Sequence, residues 1–242
     1  MPDPIFAEPR LAAVYDPLDP DRSDLDAYET IVVEELGARS VLDVGCGTGT
    51  FALRLASRGL EVTALDPAAA SVQVARSKAG ADAVRWLVGT VDDLPGLQVE
   101  TATMTANVAQ VFLDDDEWHA ALDATRRALR PGGALVFEAR RPEARAWEGW
   151  TKQATHQVVD VPGHGPVEDW VEVTQVDGEL VTFESPTIFH ADGARFESTS
   201  TLRFRSRAAI EESLQHCGFD LMDVRDLARA PGRAWLYLAG RA

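Results

Sequence analysis

The chain has 242 residues, with 39 acidic side chains against 23 Lys and Arg and a formal net charge of −16. Such a surface repels phosphate backbones and anionic bilayers, which argues against nucleic-acid and membrane-surface binding. Hydrophobic residues make up 45% of the chain, enough for a full core. No apolar run reaches the ~18 residues of a membrane span, and MPDPIFAEPR lacks the basic start and apolar stretch of a signal peptide. The two cysteines, Cys46 and Cys217, form no disulfide framework and have no metal-ligand neighbours at useful spacing. A reducing cytoplasm and no metal site are expected.

Residues 1–24, rich in Pro and Asp, read as an extended arm or a loose helix. Leu25, Tyr28, Ile31, Val32 and Leu36 fall at mostly helical spacing, with Gly37 as the cap, so residues 1–36 form an arm and a helix. Val41, Leu42 and Val44 make a short apolar run suited to a strand buried on both faces. Strands and helices then alternate. Strands are expected near 60–65, 84–88, 101–106 and 134–139, with helices at 50–58, 68–79 and 114–129. The last of these helices starts acidic (Asp114, Asp115, Asp116, Glu117) and ends basic (Arg126, Arg127, Arg130), matching the helix dipole. Repeated β-α-β-α order implies a parallel sheet with helices on both faces.

Near residue 150 the helical periodicity is lost. Asp177-Gly178 and Asp192-Gly193 are hairpin signals within β-branched alternation. Three or four antiparallel strands are expected over 151–205, as a cap inserted after the fifth parallel strand. A helix over 206–217 and strands at 219–224 and 234–239 complete the second part of the core, so 37–150 and 206–242 form one Rossmann-like domain. The fold class expected is α/β: a seven-stranded, mostly parallel sheet whose last strand is antiparallel, with the small β cap inserted.

The segment VLDVGCGTGTFALRLASRG, residues 41–59, joins a buried strand to a helix through Gly45, Gly47 and Gly49. Such a turn leaves room, and free backbone N–H groups, for a small polar ligand. A dinucleotide fingerprint needs G-x-G-x-x-G, and here the third glycine comes one place early. Asp43 puts a carboxylate at the strand's end, which repels a pyrophosphate and suits a cation.

The string Asp43-Val44-Gly45-Cys46-Gly47-Thr48-Gly49 resembles motif I of the class I S-adenosylmethionine-dependent methyltransferases, of the small-molecule type. The resemblance covers residues 38–140 well and 206–242 in outline. It implies S-adenosyl-L-methionine as cofactor, held by Asp43, Gly45, Cys46, Gly47 and Gly49. Asp66, 21 residues past Gly45, matches the position that accepts from both ribose hydroxyls, with Pro67 against the adenine. Asp before Pro also suits a helix N-cap. VGTVDDLP, residues 88–95, matches the third motif. Thr90 stands where the family has an Asp facing the adenine amino group, so Thr90 or Asp92 supplies that contact and the Val91 backbone reaches the ring. Asn107 and Gln110 follow the fourth strand, where the family borders the methionine moiety and the acceptor; a capped loop accounts for them as well. Tyr15 in AAVYDPL matches an arm that closes over the cofactor, or is simply packed.

Arg140, Arg141, Trp147 and Trp150 lie at the carboxyl edge of the fifth strand, where ligands of open α/β sheets sit. They either contact an acidic or aromatic acceptor or anchor the insertion. The expected reaction is methyl transfer to a small molecule by in-line displacement, in a monomer or homodimer. No catalytic residue is assigned, because any of His119, His156, His164, His190 and His216 could serve as a base. Two alternatives stay open: a nucleotide-dependent oxidoreductase, and a non-catalytic cofactor-binding regulatory protein.

Overall fold

The computed structural model describes residues 2–242. Ser40–Val44 forms β1, its apolar Val41, Leu42 and Val44 buried along with Asp43 because neighbours cover both faces of the strand. β1 pairs in parallel with β2 (Glu61–Asp66) on one side and with β4 (Val99–Met104) on the other. β3 (Val84–Val88) adds to β2, and β5 (Leu129–Arg140) adds to β4. The chain ends with β13 (Phe219–Asp226) and β14 (Ala234–Arg241), numbered after the seven cap strands given below. β14 runs antiparallel to both β5 and β13. The sheet order is β13-β14-β5-β4-β1-β2-β3. The expected mixed seven-stranded sheet is therefore present, with its antiparallel strand where the sequence puts the last one.

Helices α4 (Thr50–Ser57), α5 (Ala69–Ser77), α6 (Asp115–Ala128) and α8 (Arg207–His216) cover the faces. α6 shows why the sequence folds this way. Asp114 accepts from the Glu117 amide as N-cap, and Trp118, Ala121, Leu122 and Thr125 turn one stripe inward. Trp118 is 1% exposed and packs between Phe112 and Phe137, with ring centroids at 5.7 and 5.8 Å. Phe137 in turn stacks on Tyr237 of β14 at 4.9 Å, tying the antiparallel strand to the parallel part of the sheet.

Three expectations are corrected and one is resolved. Of the extended arm or loose helix expected at residues 1–24, residues 4–18 take the helical form, as α1 (Pro4–Ala7) and α2 (Pro9–Leu18), with Leu11, Ala12 and Val14 buried. Pro at the first position of each helix suits its fixed φ. The helix expected over 25–36 is mixed, with a 3₁₀ turn at Ser23–Leu25, one α turn α3 at Asp26–Glu29 and a π-helical stretch at Thr30–Glu35. The fifth strand begins earlier than expected. Arg130–Gly133 is absorbed as an irregularity, and strand partners jump from Val99–Leu129 to Thr101–Ala134.

The insertion holds seven short strands rather than three or four. After a short helix α7 (Lys152–Thr155), β6 (Gln157–Val161), β7 (Gly165–Asp169), β10 (Thr187–Phe189) and β11 (Ala194–Phe196) form one sheet. β8 (Glu172–Asp177), β9 (Leu180–Glu184) and β12 (Thr199–Arg203) form another. Strands of three to six residues give too little alternation to separate by pattern alone.

Removing Trp118 tests how the core is built. Trp118→Ala is expected to lower the unfolding free energy by about 3–5 kcal/mol in urea titration. A loss below about 1 kcal/mol would contradict a core centred on this ring.

Candidate active site

At the carboxyl end of β1 the backbone turns sharply through Gly45, Gly47 and Gly49, all at positive φ (+72°, +52° and +79°). Their roles differ. A Cβ on Gly45 would meet Val108 Cγ2 at 2.4 Å, and one on Gly49 would meet the Trp86 ring at the same distance. Those two glycines allow protein to pack against the loop. A Cβ on Gly47 would meet nothing within 4 Å, so this is the open side that a ligand can approach.

The loop offers fewer amides than its sequence suggests. Gly45 and Cys46 donate to the Leu65 carbonyl, Gly49 donates to the Cys46 carbonyl, and Gly47 donates to Asp66 Oδ2. Recognition at this loop therefore depends on the side chains around it more than on a nest of free N–H groups. Cys46 is one that contributes little charge: burial, then Asp43 and Asp66, push its thiol up, keeping it neutral.

Asp43 is 1% exposed, within β1 itself. Its Oδ1 accepts from the Thr103 hydroxyl at 2.9 Å, while its Oδ2 is buried with no hydrogen-bond partner among the described residues. Burial, and more weakly Asp66, raise its carboxyl to about 7 against the Thr103 hydrogen bond. A buried carboxylate with an unfilled oxygen is costly, and a cation placed against it relieves the cost.

Asp66 ends β2 and is 8% exposed. Its oxygens accept from the Gly47 and Ala68 amides, both at 2.8 Å. Burial raises its carboxyl and those two hydrogen bonds oppose the rise. Pro67 is exposed beside it. Thr90 caps the short turn Val91–Asp93: its amide and hydroxyl both donate to Asp93 Oδ2, at 2.8 and 3.3 Å. The cap occupies Thr90 and Asp93, while the adjacent Asp92 side chain is exposed and Val91 is partly buried against the core.

Past β4 the chain bends through Ala106 and Asn107, both at positive φ (53° and 67°). The Asn107 amide donates to Glu138 Oε1 at 3.0 Å, which holds this strained bend in place. Gln110 is 2% exposed and acts as a tie. Its Nε2 donates to the Arg203 carbonyl at the end of β12, and its Oε1 accepts from the Arg140 amide and Nη1. Arg140 lies over the Trp150 ring, 5.1 Å from its centroid. Burial lowers its guanidinium and the Glu138 charge opposes this. Arg141 points elsewhere, pairing with Asp226 at 2.7 Å and lying over Trp235. Trp147 and Trp150 pack on Phe204, with Trp150 also against Phe183, so both rings anchor the three-stranded sheet.

Three site residues escaped the sequence reading. Glu138 is 6% exposed and carries a carboxyl raised by burial, within a strand otherwise read as apolar. Tyr28 is buried, its hydroxyl without a hydrogen-bond partner among the described residues, and burial and then Glu138 raise it well above its ordinary value. Asp16 accepts from the Thr48 hydroxyl at 2.6 Å and the Thr50 hydroxyl at 3.4 Å, and pairs with Lys78. It thus latches α2 across the glycine loop, next to Tyr15, which packs at 5.6 Å from Phe6 and whose hydroxyl is raised by burial. One signal was available for each: an acid inside an apolar strand, a tyrosine on a buried stripe, and an Asp following the Tyr already noted.

Residues 41–133 match the model of a methyltransferase domain family. That segment contains the glycine loop, Asp43, Asp66 and the bend at Asn107. In this segment the chain is similar to methyltransferase domains. An uncharacterized methyltransferase of Mycobacterium tuberculosis is 33% identical over 121 residues, covering 48% of this chain and 45% of the relative. The chain thus spans about half the length of the curated relatives it matches. A methyltransferase structure from Clostridium acetobutylicum superposes with a TM-score of 0.75 at 18% identity, covering 96% of this chain and 97% of that one. An amino pentose methyltransferase of Micromonospora echinaspora, solved with S-adenosylmethionine bound, gives 0.74 at 23% identity, covering 95% and 97%. At these identities the structural matches establish the shared fold. The shared fold includes the antiparallel strand at the end of the sheet.

The buried acid gives a pH signature. Because Asp43 binds its proton more tightly folded than unfolded, it contributes stability that is full below the ordinary carboxylate pKa and is lost as pH rises through about 7. The ligand-free protein is expected to lose that stability between about pH 4 and 7, and Asp43→Asn to flatten this part of the profile. A wild-type profile unchanged by the substitution would show that Asp43 is not the titrating group.

Proposed function

We propose that this chain transfers a methyl group from S-adenosylmethionine to a small-molecule acceptor. The observation that carries this reading is the buried, half-unpartnered Asp43 carboxylate beside the open face of Gly47, within the matched methyltransferase segment. The cofactor combines an ammonium, a sulfonium and a ribose with no phosphate, and this edge of the sheet supplies acids for those groups. Bound there, it supplies an electrophilic methyl group on a good, neutral leaving group.

In this reading Asp43 and the turn of Gly45, Cys46, Gly47 and Gly49 receive the methionine end. Asp66 takes the ribose hydroxyls, since each of its oxygens keeps a lone pair beyond the amide it already accepts from. The adenine lies along Pro67 and Val91, with Asp92 as its polar partner because Thr90 is committed to its cap. Asn107 borders the reacting centre, its backbone set by Glu138. Tyr15 closes the site from α2, which Asp16 fixes to the loop. These residues position the reactants and exclude water, and that is most of what a displacement at a sulfonium asks of a protein.

The insertion at 151–205 is the acceptor cap, packed through Trp147, Trp150 and Gln110 onto the core of 37–150 and 206–242. A small acceptor is supported by that cap and by fold neighbours such as the amino pentose methyltransferase. The acidic surface speaks against nucleic-acid or membrane acceptors, and no helix among the described residues is long and apolar enough to cross a membrane. The two unpaired cysteines fit the cytoplasm.

Calorimetric titration with S-adenosylmethionine and S-adenosylhomocysteine tests the assignment. Micromolar binding of both is expected, weakened by about 1–3 kcal/mol in Asp66→Ala, the scale of an unpaired buried polar group. Absence of binding by either compound would overturn the proposal.

A further inference from the structure

A pocket of about 290 Å³ lies between α2 and the four-stranded cap sheet. It lies on the cap side of α2, the helix that Asp16 latches to the glycine loop. Tyr15 lines the pocket, and the next residue, Asp16, is bonded to Thr48 of the loop. α2 is held on both sides. On the core side Asp16 accepts from the Thr48 hydroxyl and pairs with Lys78. On the cap side, Gln157 Nε2 donates to the Leu18 carbonyl at 3.0 Å, and Arg10 pairs with Asp192 at 2.9 Å. The pocket is therefore a built feature with fixed walls.

Its lining is one-sided in charge. Two carboxylates, Asp19 and Asp169, face it together with the hydroxyls of Tyr15 and Ser185 and the amide of Gln157. Among the described residues, no Lys, Arg or His lines it. The nearest cationic influences act from outside the lining: Arg22 on Tyr15 and His156 on Asp169. One oxygen of Asp169, Oδ1, is buried without a hydrogen-bond partner among the described residues. Burial raises the Asp169 carboxyl above its ordinary value, opposed by the neighbouring Gln157 amide and the His156 charge. A buried, unfilled carboxylate oxygen at a pocket wall costs free energy unless a donor is placed against it. An anion here would face two acids with no compensating donor charge.

We infer that this pocket is the acceptor site and that it takes a compact amine, its ammonium against Asp169, while excluding acceptors that carry a phosphate or carboxylate. The size agrees: about 290 Å³ sits at the lower end of small-ligand pockets, enough for one ring with substituents and too small for a nucleotide-linked molecule. The inference rests on the methyltransferase reading and narrows its substrate class by charge and size.

Matched probes test it on the full chain saturated with S-adenosylhomocysteine. Cyclohexylamine and glucosamine are compared with uncharged cyclohexanol and glucose, and with anionic cyclohexanecarboxylate and glucuronate. Binding is read by ligand-observed NMR and calorimetry at neutral pH. The amines are expected to bind about tenfold or more tightly than their uncharged and anionic counterparts, the scale of one charge-assisted hydrogen bond. Asp169→Asn, which keeps the shape and removes the charge, is expected to abolish that preference, and Asp19→Asn to reduce it.

Equal or tighter binding of the anions, no binding of either amine, or a preference that survives Asp169→Asn would each overturn the inference. Binding of S-adenosylhomocysteine is measured on the same samples. Its retention alongside a failed amine preference sinks only the pocket assignment, whereas its loss sinks the methyltransferase reading beneath it.

Discussion

Three carboxylates held almost dry at one edge of a parallel sheet govern this molecule. Asp43, Asp66 and Glu138 are 1%, 8% and 6% exposed, and burial raises all three. A fold bears such a concentration of buried acid only if donors or cations answer it. Some answers are internal: the Thr103 hydroxyl, the Gly47 and Ala68 amides, the Asn107 amide and the Arg140 guanidinium. The Oδ2 of Asp43 receives none of them. The same deficit recurs at Asp169, across α2. The chain thus buries two carboxylate oxygens, Asp43 Oδ2 and Asp169 Oδ1, without a hydrogen-bond partner among the described residues.

Geometry around the loop follows from this need. Gly45 and Gly49 let Val108 and Trp86 press against the turn, which fixes the backbone, while Gly47 keeps one side clear. The bend at Ala106 and Asn107 is strained and stays where it is because Glu138 receives the Asn107 amide. Gln110 then links that bend, the start of the cap connection at Arg140 and the end of β12 through three hydrogen bonds. Core, cap and N-terminal helices are joined at the site itself, so displacement of one element is felt by the others.

The parts legible from the sequence were those with strong local periodicity. The strand-turn-helix at 41–59, the acidic start of α6 and the antiparallel ending of the sheet each left a pattern of the right period, and each stands where that pattern put it. The seven cap strands left weaker traces, because most are too short to show alternation and only two of their turns are marked by Asp-Gly. α1 and α2 were obscured by their prolines, although Leu11 and Val14 already marked a buried stripe. Within the site, Asp43 and Asp66 could be named from spacing. The contacts of Asp16 and Glu138 could not, since their partners lie 32 and 31 residues away in sequence, at Thr48 and Asn107. Only the folded arrangement shows that Arg141 belongs to Asp226 and that Thr90 serves a cap.

In the proposed function, the raised Asp43 carboxyl gives up its proton when the ammonium of the cofactor is placed against it. Calorimetry of S-adenosylhomocysteine binding at pH 6.5, run in buffers of differing ionisation enthalpy, reads the proton count directly. With Asp43 near 7 in the free protein, binding should release about half a proton or more, and Asp43→Asn should abolish that release. Binding with no proton release, or with the same release in Asp43→Asn, would contradict the account.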